Sequence, residues 1–312
     1  MIKIICICTF AILALNSVRS LPMPDYVVPN TPENLERLKN LGPDDLAEEL
    51  SGQFEGDMVM SPSEIAQLIG GNKNGKTGLI AERFRWPDNI IPYTINEEDF
   101  SSAQIHYIHL AAERLMEVTC LKFVPYREGV HTNYIWVTGE NSGCWSYVGM
   151  RNGRQQLNLT PNNPEVGCFR LYTIVHEFMH ALGFYHMQSA TERDEYVRIV
   201  WENIQAGTQN NFNTYDAQTI TQFGIEYDYG SVMHYSRTAF SINGSDTIVA
   251  LKDLGDSIMG QRVRMSDKDI ARINAMYCPL SPRPPPPQSL TEFFYRLNNG
   301  MNKLFYNIFS RF

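Results

Sequence analysis

The sequence predicts an α+β fold for residues 77–279, and two observations support that prediction. Several short segments are rich in β-branched and aromatic residues, which favour strands. Two longer segments either repeat apolar side chains at helical spacing or contain good helix formers without Pro or Gly. The predicted order is a sheet with one helix between its strands, then a second helix, then a long irregular half. A segment of this length is sufficient for one domain with a full hydrophobic core.

The predicted elements follow one another along the chain. Strands are predicted at residues 91–95, 121–125, 134–138 and 156–159. Between the first two strands, apolar side chains recur every three or four residues and predict a helix: Ile105, Ile108, Ala112, Leu115 and Met116. Ser101 or Ser102 is placed to cap this helix. The second predicted helix covers residues 171–182.

The second predicted helix carries the pattern HExxHxxGxxH, which begins at His176. His176 and His180 are one helical turn apart and project from the same face. Gly183 can adopt a positive φ and end the helix, so the chain turns back and His186 can reach the same point. Three imidazoles leave a fourth position open for water, which is the arrangement of a catalytic Zn²⁺ site. Glu177 lies beside this site and is placed to act as the general base.

The specificity of this pattern depends on its length. HExxH alone occurs by chance in many helices. The longer form adds a Gly and a third His, and its probability of chance occurrence is on the order of 10⁻⁵ per chain. A zinc-binding but inactive module is the main alternative. It would require the loss of the base or of a ligand, and Glu177 and all three histidines are present.

A second pattern, Ser-Val-Met-His-Tyr, occupies residues 231–235. Together with the zinc pattern it resembles the Met-turn of the metzincins, and a Tyr two residues after the Met is typical of the astacin family. The resemblance extends from residue 86 to residue 278 and includes Cys-Trp-Ser-Tyr-Val-Gly at residues 144–149. The chain is most similar in pattern to nematode-type astacins that have a single catalytic domain.

This resemblance implies a fold and an activity. The fold is that of a two-lobed metzincin, whose N-terminal lobe has a twisted, mostly parallel sheet and two long helices and whose C-terminal lobe is largely irregular. The activity is that of a zinc-dependent endopeptidase, which hydrolyses extended polypeptide substrates by means of a zinc-activated water. Met233 would lie beneath the metal, and the phenol of Tyr235 would stabilise the oxyanion. The strand near residues 144–147 would pair with the substrate by strand addition.

Met187 departs from the family pattern. Astacins usually have Glu directly after the third zinc ligand, where it bonds the buried amino terminus of the mature enzyme. Met187 cannot make that bond. Adamalysins, another branch of the metzincins, have Asp at this position, so Met187 does not fit that alternative either.

The first twenty residues predict secretion. Lys3 precedes an apolar stretch at residues 4–15, and small residues follow where a signal peptidase would cut. The stretch is too short to span a bilayer. We therefore expect residues 1–20 to be a signal peptide and the mature protein to be extracellular.

Four cysteines remain after removal of the signal peptide, and they allow three pairings. The astacin pattern implies the pairs Cys120–Cys278 and Cys144–Cys168. Sequons for N-glycosylation occur at Asn158 and Asn243, and the second lies in the more turn-like stretch.

Residues 21–76 form a distinct acidic segment with ten acidic and four basic residues. We interpret this segment as a propeptide, because Phe-Glu-Gly-Asp at residues 54–57 matches the motif by which astacin prosegments place an Asp on the zinc. Asp57 would then displace the catalytic water. A disordered acidic arm is the alternative. Lys76 is the expected cleavage site for an activating protease, since it lies in a Gly/Asn-rich stretch.

Residues 280–312 follow the region of resemblance. A Pro-rich spacer precedes a stripe of apolar side chains at helical spacing: Leu290, Phe293, Phe294, Leu297, Met301, Leu304, Phe305, Ile308 and Phe312. The stripe predicts a helix docked on the catalytic domain, with disorder as one alternative and binding to a membrane surface or a protein partner as another. No basic stripe or Gly-rich phosphate loop suggests a nucleic-acid or nucleotide partner.

Overall fold

The computed structural model describes residues 47–70, 82–216 and 220–278. The predicted signal peptide, the cleavage site at Lys76 and the C-terminal tail lie outside these residues. Within them, no helix has the length and hydrophobicity that a membrane span requires.

The structure contains four α-helices and eight strands in its described part. The helices are α1 (Pro62–Gly70), α2 (Ser102–Val118), α3 (Leu171–Leu182) and α4 (Asp267–Tyr277). The strands are β1 (Met58–Val59), β2 (Ile90–Ile95), β3 (Lys122–Pro125), β4 (Tyr134–Thr138), β5 (Cys144–Tyr147), β6 (Arg154–Leu159), β7 (Val197–Ile199) and β8 (Ile248–Ala250). Short 3₁₀ turns connect several of these elements.

Six strands form one mixed sheet in the order β1-β5-β6-β4-β2-β3. All neighbouring pairs are parallel except β5 and β6. The expectation of a mostly parallel sheet in an α+β fold is therefore confirmed. Strand β6 begins two residues earlier than predicted, because Arg154 and Gln155 pair with Tyr134 and Ile135 despite their polar side chains.

Helix α2 forms where its apolar stripe and its cap predict. Ser101 is the N-cap: its hydroxyl accepts a hydrogen bond from the backbone N–H of Gln104, whose side chain bonds back to Ser101. Ile108, Ala112 and Leu115 are fully buried in the main hydrophobic core. This core also contains the inner residues of the sheet and of α3, so the two helices and the sheet form one lobe.

A second hydrophobic cluster belongs to the C-terminal half. All of its buried members lie between Met187 and Ile248, a region whose described residues contain two short strands, β7 and β8. The chain is thus divided into a sheet-containing lobe and a largely irregular lobe, as expected. Helix α3 ends at the point where the chain passes from the first cluster to the second.

Both disulfides that the resemblance implies are present. Cys120 and Cys278 join the end of α2 to the end of α4, across a sequence separation of 158 residues. Cys144 and Cys168 join β5 to the turn that precedes α3, across 24 residues. The second bond therefore fixes strand β5, which lies next to the edge strand β1, against the start of the helix that carries the predicted metal ligands.

Candidate metal centre and active site

The three predicted histidines converge in the interior of the molecule. His176 and His180 project from one face of α3, and their Nε2 atoms are 3.0 Å apart. The helix ends at Gly183, which has φ 111°, and its N–H bonds the carbonyls of Met179 and His180. The reversal brings His186 to the same place, and all three imidazoles are at most 1% exposed.

Each imidazole is oriented by an acceptor at its Nδ1 atom. His176 Nδ1 donates to the carbonyl of Val232 at 2.8 Å, and His180 Nδ1 donates to the carbonyl of Phe184 at 2.7 Å. His186 Nδ1 bonds Glu55 Oε2 at 2.9 Å. A carbonyl can only accept, so the proton of these rings lies on Nδ1 and the lone pair on Nε2. This is the arrangement that fixes histidine ligands at metal sites.

The converging atoms fit a zinc ion. Two Nε2 lone pairs 3.0 Å apart repel one another unless a cation lies between them, and three imidazole nitrogens with one further ligand are the usual donors for Zn²⁺. Asp57 supplies the fourth group: its carboxylate oxygens are 3.0 Å from His176 Nε2 and 3.2 Å from His186 Nε2. The ligand atoms of the four residues all lie within 4.8 Å of one another.

Asp57 takes the fourth position in this cluster and is fully buried. Burial opposes ionisation, but the neighbouring His186 and His180 outweigh it and hold the pKa of Asp57 well below its usual range. The backbone carbonyl of Asp57 also accepts a hydrogen bond from the N–H of Ser146 at 2.9 Å. The carboxylate is therefore held at the histidines by the edge of the sheet as well as by its own charge.

Glu177 follows the first ligand on α3 and is 0% exposed. Neither oxygen of its carboxylate has a hydrogen-bond partner among the described residues. Burial raises the pKa of Glu177 well above its usual value, and the charges of Asp57 and Glu48 raise it further. A buried, unpaired acid beside a metal-binding cluster is the environment of a general base.

Backbone carbonyls of residues 231–235 help to position the metal-binding cluster. The carbonyl of Val232 holds His176, and the carbonyl of Met233 accepts from the N–H of Met187 at 2.9 Å. Met233 itself is 3% exposed and belongs to the same core as α3. The ring of Tyr235 lies 4.6 Å from that of His186, and its hydroxyl donates to the carbonyl of Glu55 at 2.6 Å.

Glu55 is a site residue that the sequence analysis did not identify. Besides His186, its carboxylate accepts from the hydroxyls of Ser189 and Tyr215. Its backbone has φ 49°, a conformation that non-glycine residues seldom adopt. Its position between Phe54 and Asp57 in the Phe-Glu-Gly-Asp motif was the one available signal.

Asp269 was also missed. It is 1% exposed and accepts from the hydroxyl of Ser231 at 2.5 Å and from the N–H of Val232 at 2.9 Å. Asp269 therefore fixes the backbone segment whose carbonyl orients His176. Its pairing with Ser266, the cap of α4, has the Ser-x-x-Asp spacing of a capping box.

The two sequons differ in accessibility. Asn158 is 0% exposed, and its side chain bonds Thr138, Glu140 and Gly143 within the sheet. This burial argues against the predicted glycosylation at Asn158, because the amide has no room for a glycan. Asn243 is exposed and its amide oxygen accepts from the N–H of Ser245, so it stays a predicted site.

Fold and site together define a zinc metallopeptidase of the metzincin type. The family model for astacin, which describes a family of peptidases, matches residues 79–278, so the chain belongs to the astacin family. Zinc is the metal of this family, and His176, His180, His186 and Asp57 form a group that could hold it here.

Individual relatives agree with this assignment. The chain is 39% identical over 227 residues to zinc metalloproteinase nas-4 of Caenorhabditis elegans, covering 72% of this chain and 69% of nas-4. It is 39% identical over 251 residues to meprin A subunit beta of Homo sapiens, but spans only 33% of that protein. Among solved structures it is similar to high choriolytic enzyme 1, a hatching enzyme zinc-protease of medaka (Oryzias latipes), with a TM-score of 0.57 and 36% identity over 63% of this chain and 96% of the enzyme.

Proposed function

We propose that this chain is a secreted endopeptidase made as a zymogen, and that residues 21–76 are its propeptide. The observation that carries the proposal is the carboxylate of Asp57 among the three histidines, at the one position where a catalytic water must bind. Glu177 lies beside that position as the base, so the same site contains both a catalytic apparatus and a group that blocks it.

The contacts of residues 47–70, here called the N-terminal segment, support this proposal. Strand β1 pairs in parallel with β5, which is the edge that an extended substrate would use. Glu48 forms a bidentate ion pair with Arg262, with N–O distances of 2.7 and 2.6 Å. The backbone carbonyl of Glu55 accepts a hydrogen bond from the hydroxyl of Tyr235. The segment thus covers the edge strand and engages Tyr235 at once.

Release of the N-terminal segment frees the groups that perform hydrolysis. Zinc held by His176, His180 and His186 would supply a Lewis acid for the scissile carbonyl and would lower the pKa of a bound water. Glu177 takes a proton from the attacking water and passes it to the departing amine. The hydroxyl of Tyr235, no longer bonded to Glu55, donates a hydrogen bond to the oxyanion of the tetrahedral intermediate. The free edge of β5 holds the substrate backbone extended.

Secretion is supported by the signal sequence and by two disulfides, which persist in oxidising compartments. Polypeptides are the substrates, and a second protease acts as the activator at Lys76.

Hydrolysis of casein by the intact protein and by protein cleaved after Lys76 tests the proposal. We expect activity only after cleavage, loss of activity with a zinc chelator, and recovery when Zn²⁺ is returned. Equal activity before and after cleavage would show that residues 21–76 are not an inhibitory propeptide. No activity in the cleaved, zinc-loaded protein would refute the catalytic assignment.

A further inference from the structure

Arg151 lies in the turn after β5, beside the edge that β1 occupies. Its guanidinium is 5.5 Å from the centroid of the Phe84 ring and 5.7 Å from that of Tyr147. Its backbone N–H donates to Gln155 Oε1 at 2.8 Å, and Gln155 Nε2 donates to the carbonyl of Gly149 at 3.0 Å. The buried Gln155 therefore pins the turn, and two aromatic rings flank the charge.

An acidic side chain of the N-terminal segment already lies on this arginine. Glu64, in the first turn of α1, forms an ion pair with Arg151 through Oε1. The other carboxylate oxygen of Glu64 accepts from the backbone N–H and the hydroxyl of Ser61, each at 2.8 Å. Under this cover the side chain of Arg151 is only 21% exposed, and its Nε has no hydrogen-bond partner within the described residues.

We propose that Arg151 is a specificity-determining residue that binds an acidic side chain of the polypeptide substrate once Glu64 has left. This inference rests on the proposed function, in which the N-terminal segment departs and a substrate takes the edge of β5. Departure leaves the guanidinium without its anion, and a carboxylate of the substrate at the same place would restore the ion pair. The planar guanidinium suits a carboxylate, and the flanking rings limit its rotation.

The register of β1 indicates which substrate position reaches Arg151. Asp57 lies at the metal cluster, Met58 is opposite Ser146 and Val59 is opposite Tyr147. Arg151 follows Tyr147 by four residues, after a turn at Gly149. At about 3.3 Å per extended residue, the acidic side chain belongs roughly three to five residues from the scissile bond, on the side that lies over Tyr147.

Matched fluorogenic peptides test the inference. Each pair differs only by Glu or Gln at one position, three to five residues from the scissile bond on either side, and is cleaved by the activated enzyme. We expect wild type to prefer Glu over Gln at one of these positions by about five- to tenfold in kcat/KM, the range of a partly exposed charged hydrogen bond. Arg151→Gln should abolish this preference. In Arg151→Glu, a third peptide with Lys at the same position should be cleaved faster than the Glu peptide.

The ratio is taken within each variant, so a partly folded variant does not alter it. Arg154→Gln is the matched control, because Arg154 also stacks on an aromatic ring, that of Trp136 at 4.4 Å, but lies on β6 away from the edge. A Glu preference that persists in Arg151→Gln, or is absent from a wild type that cleaves both peptides, overturns the assignment while leaving the proposed function intact.

A wild type that cleaves neither peptide counts instead against the proposed function. In that case a binding measurement tests the role of Arg151. Fluorescence anisotropy gives the affinities of the Glu and Gln peptides for protein cleaved after Lys76 that carries Glu177→Gln, with and without Arg151→Gln. Tighter binding of the Glu peptide that depends on Arg151 supports the subsite. Equal binding of the two peptides refutes it.

Discussion

The carboxylate of Glu177 is buried and has no hydrogen-bond partner within the described part of the chain. Leaving a buried polar group without a partner costs about 1–3 kcal/mol, and more when the group is charged. The neighbouring histidines do not share this cost, because each has an acceptor at Nδ1. This cost therefore falls on Glu177, the side chain proposed to accept a proton during hydrolysis.

Replacement of that side chain by its isosteric amide separates chemistry from structure. In Glu177→Gln we expect one zinc per chain and a melting temperature no lower than that of wild type, since a buried unpaired acid is removed. Peptide hydrolysis should fall by at least ~10²-fold, because an amide cannot accept the proton of water. Metal analysis, thermal melting and casein hydrolysis measure the three quantities. A variant as active as wild type would show that another group is the base.

Tyr235 has two partners in this scheme, one before and one after activation. In Tyr235→Phe, the activated enzyme loses one oxyanion donor. The activation free energy should rise by roughly 3 kcal/mol or less, so kcat should fall while KM changes little. The unactivated form loses the bond to the carbonyl of Glu55. Steady-state kinetics measures the first effect. A rise in KM with unchanged kcat would place Tyr235 in substrate binding instead.

At the residue scale, the side chains that could be predicted from the sequence are those whose chemistry requires a fixed residue type at a fixed spacing. The zinc ligands and Glu177 are recognisable because metal chemistry demands particular residue types at fixed spacing on one helix. Glu55 and Asp269 are less visible, since a carboxylate that orients another group can come from any part of the chain. Asn158 shows the limit of a local motif: its sequon is complete, but its amide is buried and bonds within the sheet.

Strand β1 and helix α1 show why elements outside the catalytic segment are hard to predict. Strand β1 has only two residues and exists because β5 offers it an unpaired edge. Helix α1 begins at Pro62, directly after Ser61, whose hydroxyl accepts from the backbone N–H of Glu64 and whose own N–H donates to the Glu64 carboxylate. By contrast, α2 and α3 were visible in the sequence, because they bury an apolar stripe or carry the metal ligands.

If the N-terminal segment is an inhibitory propeptide as proposed, we expect its effect to depend on the carboxylate of Asp57 more than on its length. In Asp57→Ala, the intact and uncleaved protein should gain activity by roughly ten- to a hundredfold, equivalent to about 1.5–3 kcal/mol for a lost charged contact. Casein hydrolysis before any cleavage measures this. Ser63→Ala, an exposed change in the same segment, is the control and should stay inactive. An inactive Asp57→Ala protein would mean that β1 and Glu48 suffice to block the cleft.

At the scale of the whole molecule, the last helix of the domain is joined back to the core of the sheet-containing lobe. Cys120–Cys278 closes a loop across 158 residues, worth roughly 5 kcal/mol in the chain-entropy model. Asp269, on α4 near the end of the domain, also fixes the segment that orients His176. The last helix of the domain therefore bears on the geometry of the metal centre, a long-range effect that no local sequence pattern encodes.

For the C-terminal tail, as for the signal peptide and the cleavage site at Lys76, the argument rests on the sequence alone. Residues 290–312 carry an apolar stripe with net positive charge on the remaining side chains, after a stiff Pro-rich spacer. A helix docked on the catalytic domain buries that stripe and adds to stability. An amphipathic helix at a membrane surface leaves the domain's stability unchanged and binds anionic lipid instead.

Truncation after Ser281 distinguishes these cases. If the helix is docked, the melting temperature should fall by several degrees, because losing about 1 kcal/mol shifts a domain of this size by roughly 2–4 °C. If the helix binds membranes, the full-length mature protein should co-float with anionic liposomes and the truncated one should not, while both cleave casein equally. Flotation of both forms, or of neither, would exclude the membrane role. An unchanged melting temperature would exclude docking, and unchanged behaviour in both assays would leave the stripe without an intramolecular or lipid partner.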